Sequence, residues 1–199
     1  MQVKKYSDKE AWLEGRKGRI GSSRLGSMFS KRDKKPLKPF YEVIAERVAI
    51  PETDENKMDR GHRLEDEAIK RFNEVTGKNA VQELEIWTRD DNEYISASPD
   101  ATIGETEAVE LKCRDSAYHI ESWLKREVPK EYHEQSIQYF IVNEKLETLY
   151  FTFYDPRMPK DLFYITINRA DITDQIAEYT ALQLQALAEI EDIISQLTF

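Results

Sequence analysis

The stretch Ser98-Pro99-Asp100-Ala101-Thr102-Ile103-Gly104-Glu105-Thr106-Glu107-Ala108-Val109-Glu110-Leu111-Lys112-Cys113 decides how the rest of the chain is read. Two short extended runs, 98–103 and 108–113, flank the turn formers from Gly104 to Thr106, so the segment reads as a hairpin. Side chains alternate along a strand, which predicts Glu110 and Lys112 on one face and Leu111 toward the core. Nine residues separate Asp100 from Glu110, and the hairpin puts the two carboxylates at the ends of adjacent strands, where they can converge. An Asp, a Glu and a Lys side by side in a buried site are costly unless something binds there. Oxygen donors of this kind suit Mg²⁺ or Mn²⁺, with a backbone carbonyl and waters completing the shell. A lysine beside such an ion can position or deprotonate a water. The plain alternative is a cross-strand Glu–Lys pair next to a Ser-Pro-Asp turn.

Upstream of the hairpin, Val81, Leu84, Ile86 and Tyr94, Ile95 mark strands. Before them, a helix over about 58–75 carries Leu64, Ala68, Ile69, Phe72 and Val75 inward, with Gly77 capping its end. Helical periodicity also covers 40–49, where Pro51 follows as a stop, and 31–39 reads as an exposed loop. Ser7-Asp8-Lys9-Glu10 has capping-box spacing for a short helix with Trp12 and Leu13, and Gly21-Ser22-Ser23 opens a second with Leu25 and Met28. Downstream come helices over 116–126 and 130–142 and strands over 146–154 and 162–167. A long acidic amphipathic helix over about 171–197 has the apolar stripe Ile172, Ile176, Tyr179, Leu187, Ile190, Ile194 and Leu197. This order predicts an α/β fold, a central mixed sheet flanked by helices. At 199 residues it predicts one domain over 1–199, with a basic helical segment at about 1–50.

Of these residues 40% are apolar and 34% charged, and no apolar run approaches the roughly 20 residues of a membrane helix. The N-terminal basic residues lead into no apolar stretch, so a secretory leader is not expected and a soluble intracellular protein is. A single cysteine, Cys113, excludes a disulfide framework, a cysteine zinc site and a cysteine-ligated iron–sulfur cluster. The net charge of −9 hides an asymmetry. Residues 1–50 hold 13 basic and 6 acidic side chains, a balance of +7, whereas the other 149 hold 16 basic and 32 acidic, a balance of −16. Between Arg16 and Lys38 stand nine basic residues and one acid, Asp33. Such a local basic face suits a polyanion guided to one place, or else a solvated lysine-rich loop.

Several short pieces follow one another in a specific order: Trp12, Arg16, Gly18 and Ser22-Ser23; Gly61-His62-Arg63-Leu64-Glu65; Ser98-Pro99-Asp100; Val109-Glu110-Leu111-Lys112-Cys113; Tyr132-His133-Glu134-Gln135; and Tyr154-Asp155-Pro156-Arg157-Met158. Pro99-Asp100 with Glu110-x-Lys112 is similar to the PD-(D/E)xK nuclease motif. From Trp12 to about Ile167 the chain resembles the phage lambda exonuclease family, the YqaJ-type viral recombinase nucleases. The resemblance implies a restriction-endonuclease-like core in which Asp100, Glu110 and the Leu111 carbonyl hold a divalent metal. It implies that Lys112 activates the attacking water, that Glu65 serves a second metal directly or through water, and that Gln135 orients Lys112 or the nucleophile. Arg16, Ser23 and Ser98 would grip a 5′-terminal phosphate, with Arg19, Arg24, Lys31 and Arg32 along the path of the DNA.

Plainer roles stand beside these. Glu65 lies in a Leu-Glu-Asp-Glu run that also reads as a solvated helix face, Gln138 competes with Gln135, Arg16 can be a backbone contact, and Ser98 can simply start the Pro99 turn. His62, His119 and His133 lack zinc spacing and read as surface residues or as supports behind a site. Trp12, Trp87 and Trp123 read as core or subunit contacts. The family often has Gly where Ala101 stands and Pro where Arg114-Asp115 stands; the latter pair would add a DNA contact or a surface ion pair.

The resemblance implies a deoxyribonuclease dependent on Mg²⁺, with Mn²⁺ substituting and two ions per site. It would digest linear double-stranded DNA from its ends in the 5′→3′ direction as a homotrimeric ring. It further implies a single-strand annealing protein as partner in phage-type recombination, and a phage- or prophage-encoded protein in the host bacterial cytoplasm. Two alternatives remain: a structure- or site-specific endonuclease with the same core, and a non-catalytic DNA-end-binding module.

Overall fold

A computed structural model describes residues 11, 14, 30, 32, 35–50, 57–83 and 85–197. Ala11 and Glu14 are helical. Trp12, Leu13, the helix expected from Gly21, and the DNA-path candidates Arg16, Arg19, Ser23, Arg24 and Lys31 lie outside the described residues, as does Leu84.

Helix α1 (Lys38–Val48) starts with Pro39 in its first turn, where the missing N–H costs nothing. Helix α2 (Lys57–Thr76) buries Leu64, Ala68 and Phe72 at four-residue spacing, with Ile69 beside them. Phe72 is fully enclosed and meets Tyr150 and Tyr164, ring centroids 5.5 and 5.7 Å away. Val75, expected to face inward, is half-exposed instead. The stripe ends at Phe72, and the chain turns off through Gly77, whose φ of +70° and N–H bond to the Asn73 carbonyl close the helix. The Asn73 side chain then exchanges two hydrogen bonds with the Ala80 main chain and pins the reversal.

Among the described residues of the segment expected to be extended from Val81 to Ile86, one bridge forms, between Val81 and Thr102. Both Val81 and Ile86 are exposed, so no apolar face drives further pairing there. Strands β1 (Trp87–Arg89) and β2 (Asn92–Ala97) form their own antiparallel pair. The main sheet follows the order β3-β4-β5-β6, with β3 (Ala101–Ile103), β4 (Glu107–Lys112), β5 (Thr148–Tyr154) and β6 (Leu162–Asn168). It is a mixed sheet flanked by helices, as the order of elements predicts. After Thr148 every residue of β5 is buried, the pattern of an interior strand covered on both faces. The hairpin is present with Ala101 opposite Val109, and Gly104 at φ +61° makes the turn. Between β4 and β5 run α3 (Ser116–Lys125), a 3₁₀ turn (Lys130–Tyr132) and α4 (His133–Val142). A second 3₁₀ turn (Arg169–Asp171) leads into α5 (Thr173–Leu197).

The chain gathers into two compact units. One comprises Arg63–Lys112, Glu127–Thr152 and Tyr164–Phe199. Its core joins Ala108, Tyr139, Phe140, Leu146 and Leu149 to Ile95, Ile137, Ile141 and Val142. Ile172, just before α5, and Ile176, Tyr179 and Leu187 on that helix cover this core, whereas Ile190 of the expected stripe is exposed. Trp87 packs there too, in keeping with a core role.

The other unit comprises Met1–His62, Cys113–Arg126 and Phe153–Phe163. Tyr41, Ala117 and Ile120 form its buried cluster, and Phe153 stacks on Phe163 at 4.6 Å. Asp115 caps α3 by accepting the Tyr118 N–H and pairs with Lys38 at 3.4 Å, while Arg114 lies over the Tyr118 ring. Of the two places expected for the histidines, the surface or behind a site, His119 does not take the surface. It is buried on α3, edge-on to Phe163, with Nε2 2.9 Å from the Lys160 carbonyl, because the apolar face of α3 includes it. Asp155 of the Tyr-Asp-Pro-Arg-Met segment is wholly enclosed and binds Arg157 through two guanidinium nitrogens, Nε at 2.9 Å and Nη2 at 3.0 Å.

Candidate active site

Every described site residue expected from the hairpin, α2 and α4 falls within the first unit. Strand alternation puts Glu110 and Lys112 on one face of β4, where the Lys112 amine bonds Glu110 Oε1. Leu111, between them, is buried. Its N–H donates to Asp100 Oδ2 at 2.6 Å, and the Asp100 N–H donates to the Val109 carbonyl at 3.2 Å. These two bonds lash the Pro99-Asp100 turn to β4, so that the Leu111 main chain lies against the Asp100 carboxylate.

Glu110 is the most enclosed acid of the group, 3% exposed. A carboxylate this deep must be fully bonded, and three side chains see to it. Lys112 and Gln135 Nε2, the latter at 2.7 Å, both approach Oε1, and the Tyr139 hydroxyl bonds Oε2. Lys112 in turn sits over the Tyr132 ring, 4.4 Å from its centroid, with Phe151 at 5.8 Å. The two rings are themselves neighbours, 5.6 Å apart, so the amine rests against an aromatic pair on one side and bonds a carboxylate besides.

Burial pushes the Asp100 carboxyl up to about 7; the Glu110 charge adds to this and Glu65 contributes, against the Leu111 N–H and Lys112, which pull it down. A buried carboxyl whose ionisation is opposed by a neighbouring carboxylate marks a place where added positive charge is favoured. Asp100, Glu110 and the adjoining Leu111 carbonyl are an all-oxygen donor set, which fits a hard divalent ion that keeps part of its water shell. Among the described residues no three His, Cys, Asp or Glu side chains cluster closely enough to hold an ion by themselves. Glu65 reaches Asp100 through its charge rather than as a third member of such a cluster.

The two glutamines separate cleanly. Gln135 turns to Glu110, whereas Gln138 donates to the Ser96 carbonyl at 3.1 Å and accepts from Gln183 of α5 at 2.7 Å. Ser98 is exposed, and its carbonyl accepts from the Tyr139 hydroxyl at 3.0 Å. Arg32 lies in an exposed turn. Tyr139 was not singled out from the sequence. The available signal was its position four residues after Gln135, which places both on one face of α4. Burial and the facing Glu110 push its phenol far up, so it stays a donor.

The model of the YqaJ-like viral recombinase domain matches residues 11–146. A search of curated proteins found no match. Among solved structures, the chain is similar to LHK-Exo in complex with dAMP, at 26% identity and a TM-score of 0.59, covering 96% of this chain and 100% of that one. It is similar to the alkaline exonuclease LHK-Exo from Laribacter hongkongensis in a second structure, at 23% identity, TM-score 0.56 and the same coverage. A phage-related exonuclease from Haemophilus somnus 129PT shares the fold at 16% identity and TM-score 0.50, over 85% of this chain and 90% of that one. With well over half of its length matched, and the hairpin, Glu65 and Gln135 inside the matched span, the chain belongs to the YqaJ-like viral recombinase family.

Proposed function

We propose that this protein is a Mg²⁺-dependent exodeoxyribonuclease that digests linear double-stranded DNA from its ends in the 5′→3′ direction during phage-type recombination. The observation that carries this is the meeting of Asp100, Glu110, Lys112 and Gln135 at the end of the β3–β4 hairpin. Family membership and the likeness to LHK-Exo, an alkaline exonuclease seen with dAMP, support it.

Asp100, Glu110 and the Leu111 carbonyl would hold one divalent ion, and Glu65 would serve a second, directly or through water. When bound, such ions lower the pKa of a water and neutralise charge developing on the phosphate. The Lys112 amine orients the attacking water, and Gln135 holds the Glu110 oxygen on which that amine rests. Arg16, Ser23 and Ser98 grip the 5′-terminal phosphate, and the basic residues through Arg32 carry the strand. A homotrimeric ring with its positive surface toward the DNA would reconcile a net charge of −9 with a polyanionic substrate. A single-strand annealing protein receives the 3′ overhang, and the setting is the host bacterial cytoplasm.

The test is release of nucleotides from 5′-phosphorylated linear duplex and from closed circles, with and without Mg²⁺ or Mn²⁺. Linear DNA should be consumed only with metal, and circles should survive; cutting of circles would establish an endonuclease instead. Lys112→Ala should lower turnover by about 10²-fold or more while retaining end binding. Binding of ends with no metal-dependent release, unchanged by Lys112→Ala, would overturn the enzymatic assignment. Arg16→Ala should erase the preference for 5′-phosphate over 5′-hydroxyl ends.

A further inference from the structure

Tyr139 lies 3% exposed on α4, one turn beyond Gln135. Its ring is locked among Ala108, Phe140, Leu146 and Leu149 and stands edge-on to Trp87 at 6.4 Å. From that fixed ring the hydroxyl's single proton is shared between two acceptors, Glu110 Oε2 and the Ser98 carbonyl at 3.0 Å. The other oxygen of Glu110 faces Lys112 and Gln135. The two oxygens of one carboxylate are thus divided, Oε2 to the core and Oε1 to the reactive side.

We propose that Tyr139 is a positioning residue that selects the Glu110 oxygen offered to the cation and couples the turn carrying Asp100 to the strand carrying Glu110. The proposal rests on the metal-dependent reading above and deepens it. A glutamate has three side-chain torsions, and a carboxylate free to rotate would lose entropy whenever an ion engaged it. A hydroxyl on an immobile ring removes that freedom beforehand. The same shared proton reaches the Ser98 carbonyl, two residues before Asp100, which links the turn carrying Asp100 to Glu110. Groups that orient metal-binding side chains in this way typically account for about 10–100-fold in metal affinity.

Tyr139→Phe keeps the ring and deletes only the hydroxyl. In the full-length protein without DNA, the Mn²⁺ dissociation constant, read from the free-ion signal in electron paramagnetic resonance, should rise about 10–100-fold. The Mg²⁺ midpoint of nucleotide release should rise in step, with much of the turnover recovered at saturating metal. A variant with a lower melting temperature but unchanged Mn²⁺ affinity would overturn the proposal by reducing the hydroxyl to a structural bond. If Tyr139→Phe does not fold, 3-fluorotyrosine at position 139 preserves the hydroxyl. Its fluorine resonance should then shift with Mg²⁺ at the midpoint of activity, and a resonance indifferent to Mg²⁺ would overturn the proposal. Wild-type protein that neither binds Mn²⁺ nor releases nucleotides would overturn the nuclease reading and this proposal together. Wild-type activity and Mn²⁺ binding matched by the variant would overturn this proposal alone.

Discussion

Asp155→Asn tests whether the Tyr-Asp-Pro-Arg-Met segment is held by a buried ion pair. Asp155 has no exposed surface, and both of its oxygens accept hydrogen bonds. Oδ1 accepts from the Arg157 main-chain N–H at 3.2 Å and from Nε at 2.9 Å; Oδ2 accepts from Nη2 at 3.0 Å and from the Ser116 hydroxyl at 2.5 Å. An amide in either orientation turns its NH₂ group toward two of these donors and removes the negative charge that faces the Arg157 guanidinium, itself 13% exposed. Breaking one side of such a pair costs about 3–5 kcal/mol. For a chain of this length that lowers the melting midpoint by on the order of 10 °C.

The carboxyl also has a pH signature. Burial alone would raise it, but the Arg157 guanidinium and the Ser116 hydroxyl outweigh burial and hold it below its ordinary 3.8. Its folded state therefore binds the proton less readily than the unfolded chain, and its contribution is fully present above that ordinary value. The contribution disappears as pH falls below it, through the folded-state pKa. Urea denaturation at pH 7 and along an acid series, on wild type, Asp155→Asn, Arg157→Met and the double variant, measures both effects. The single variants should be strongly coupled, and the acid sensitivity in that window should be weaker in Asp155→Asn. A loss under about 1 kcal/mol, within the range of ordinary surface pairs, or additive single effects, would refute the reasoning.

Three further outcomes are expected. Gln135→Leu should lower turnover about 10-fold or more through its hold on Glu110, whereas Gln138→Leu, which loses contacts to Ser96 and Gln183, should leave turnover near wild type; initial rates on linear duplex compare them. Burial holds the His119 imidazole below its ordinary 6.5, only partly offset by the Lys160 carbonyl and the Asp155 charge. The unfolded chain then binds the extra proton, so this stability is complete above 6.5 and declines as pH falls from there toward the folded-state pKa; urea midpoints at pH 7.5 and 5.5 should converge in His119→Phe. Phe72→Ala removes a fully enclosed ring between Tyr150 and Tyr164 and should cost about 3–5 kcal/mol in the same denaturation assay.

The hairpin and the grouping of its charged side chains were legible because both depend on neighbours in sequence. A turn at Gly104 and alternation along β4 suffice to pair Asp100 with Glu110 and to put Lys112 on the same face. The same local logic located α2 and the Gly77 cap. It overreached at Val81 to Ile86, where β propensity without an apolar face yields one bridge, and at Val75, where the stripe outruns its partners. Spacing showed only that the histidines form no zinc set; whether α3 turns His119 inward depends on what packs against it.

Sequence by itself determined the α/β order and the acid–acid–lysine arrangement, since periods of 2 and 3.6 residues are properties of the chain taken locally. Only the tertiary structure decided which glutamine meets Glu110, that Tyr139 divides its two oxygens, and that Tyr132 and Phe151 flank the lysine. Those contacts join residues twenty or more positions apart. The rotation of α4 about its axis, set by the apolar packing of Ile137, Tyr139, Phe140 and Ile141, determines which polar side chains that helix presents to the hairpin.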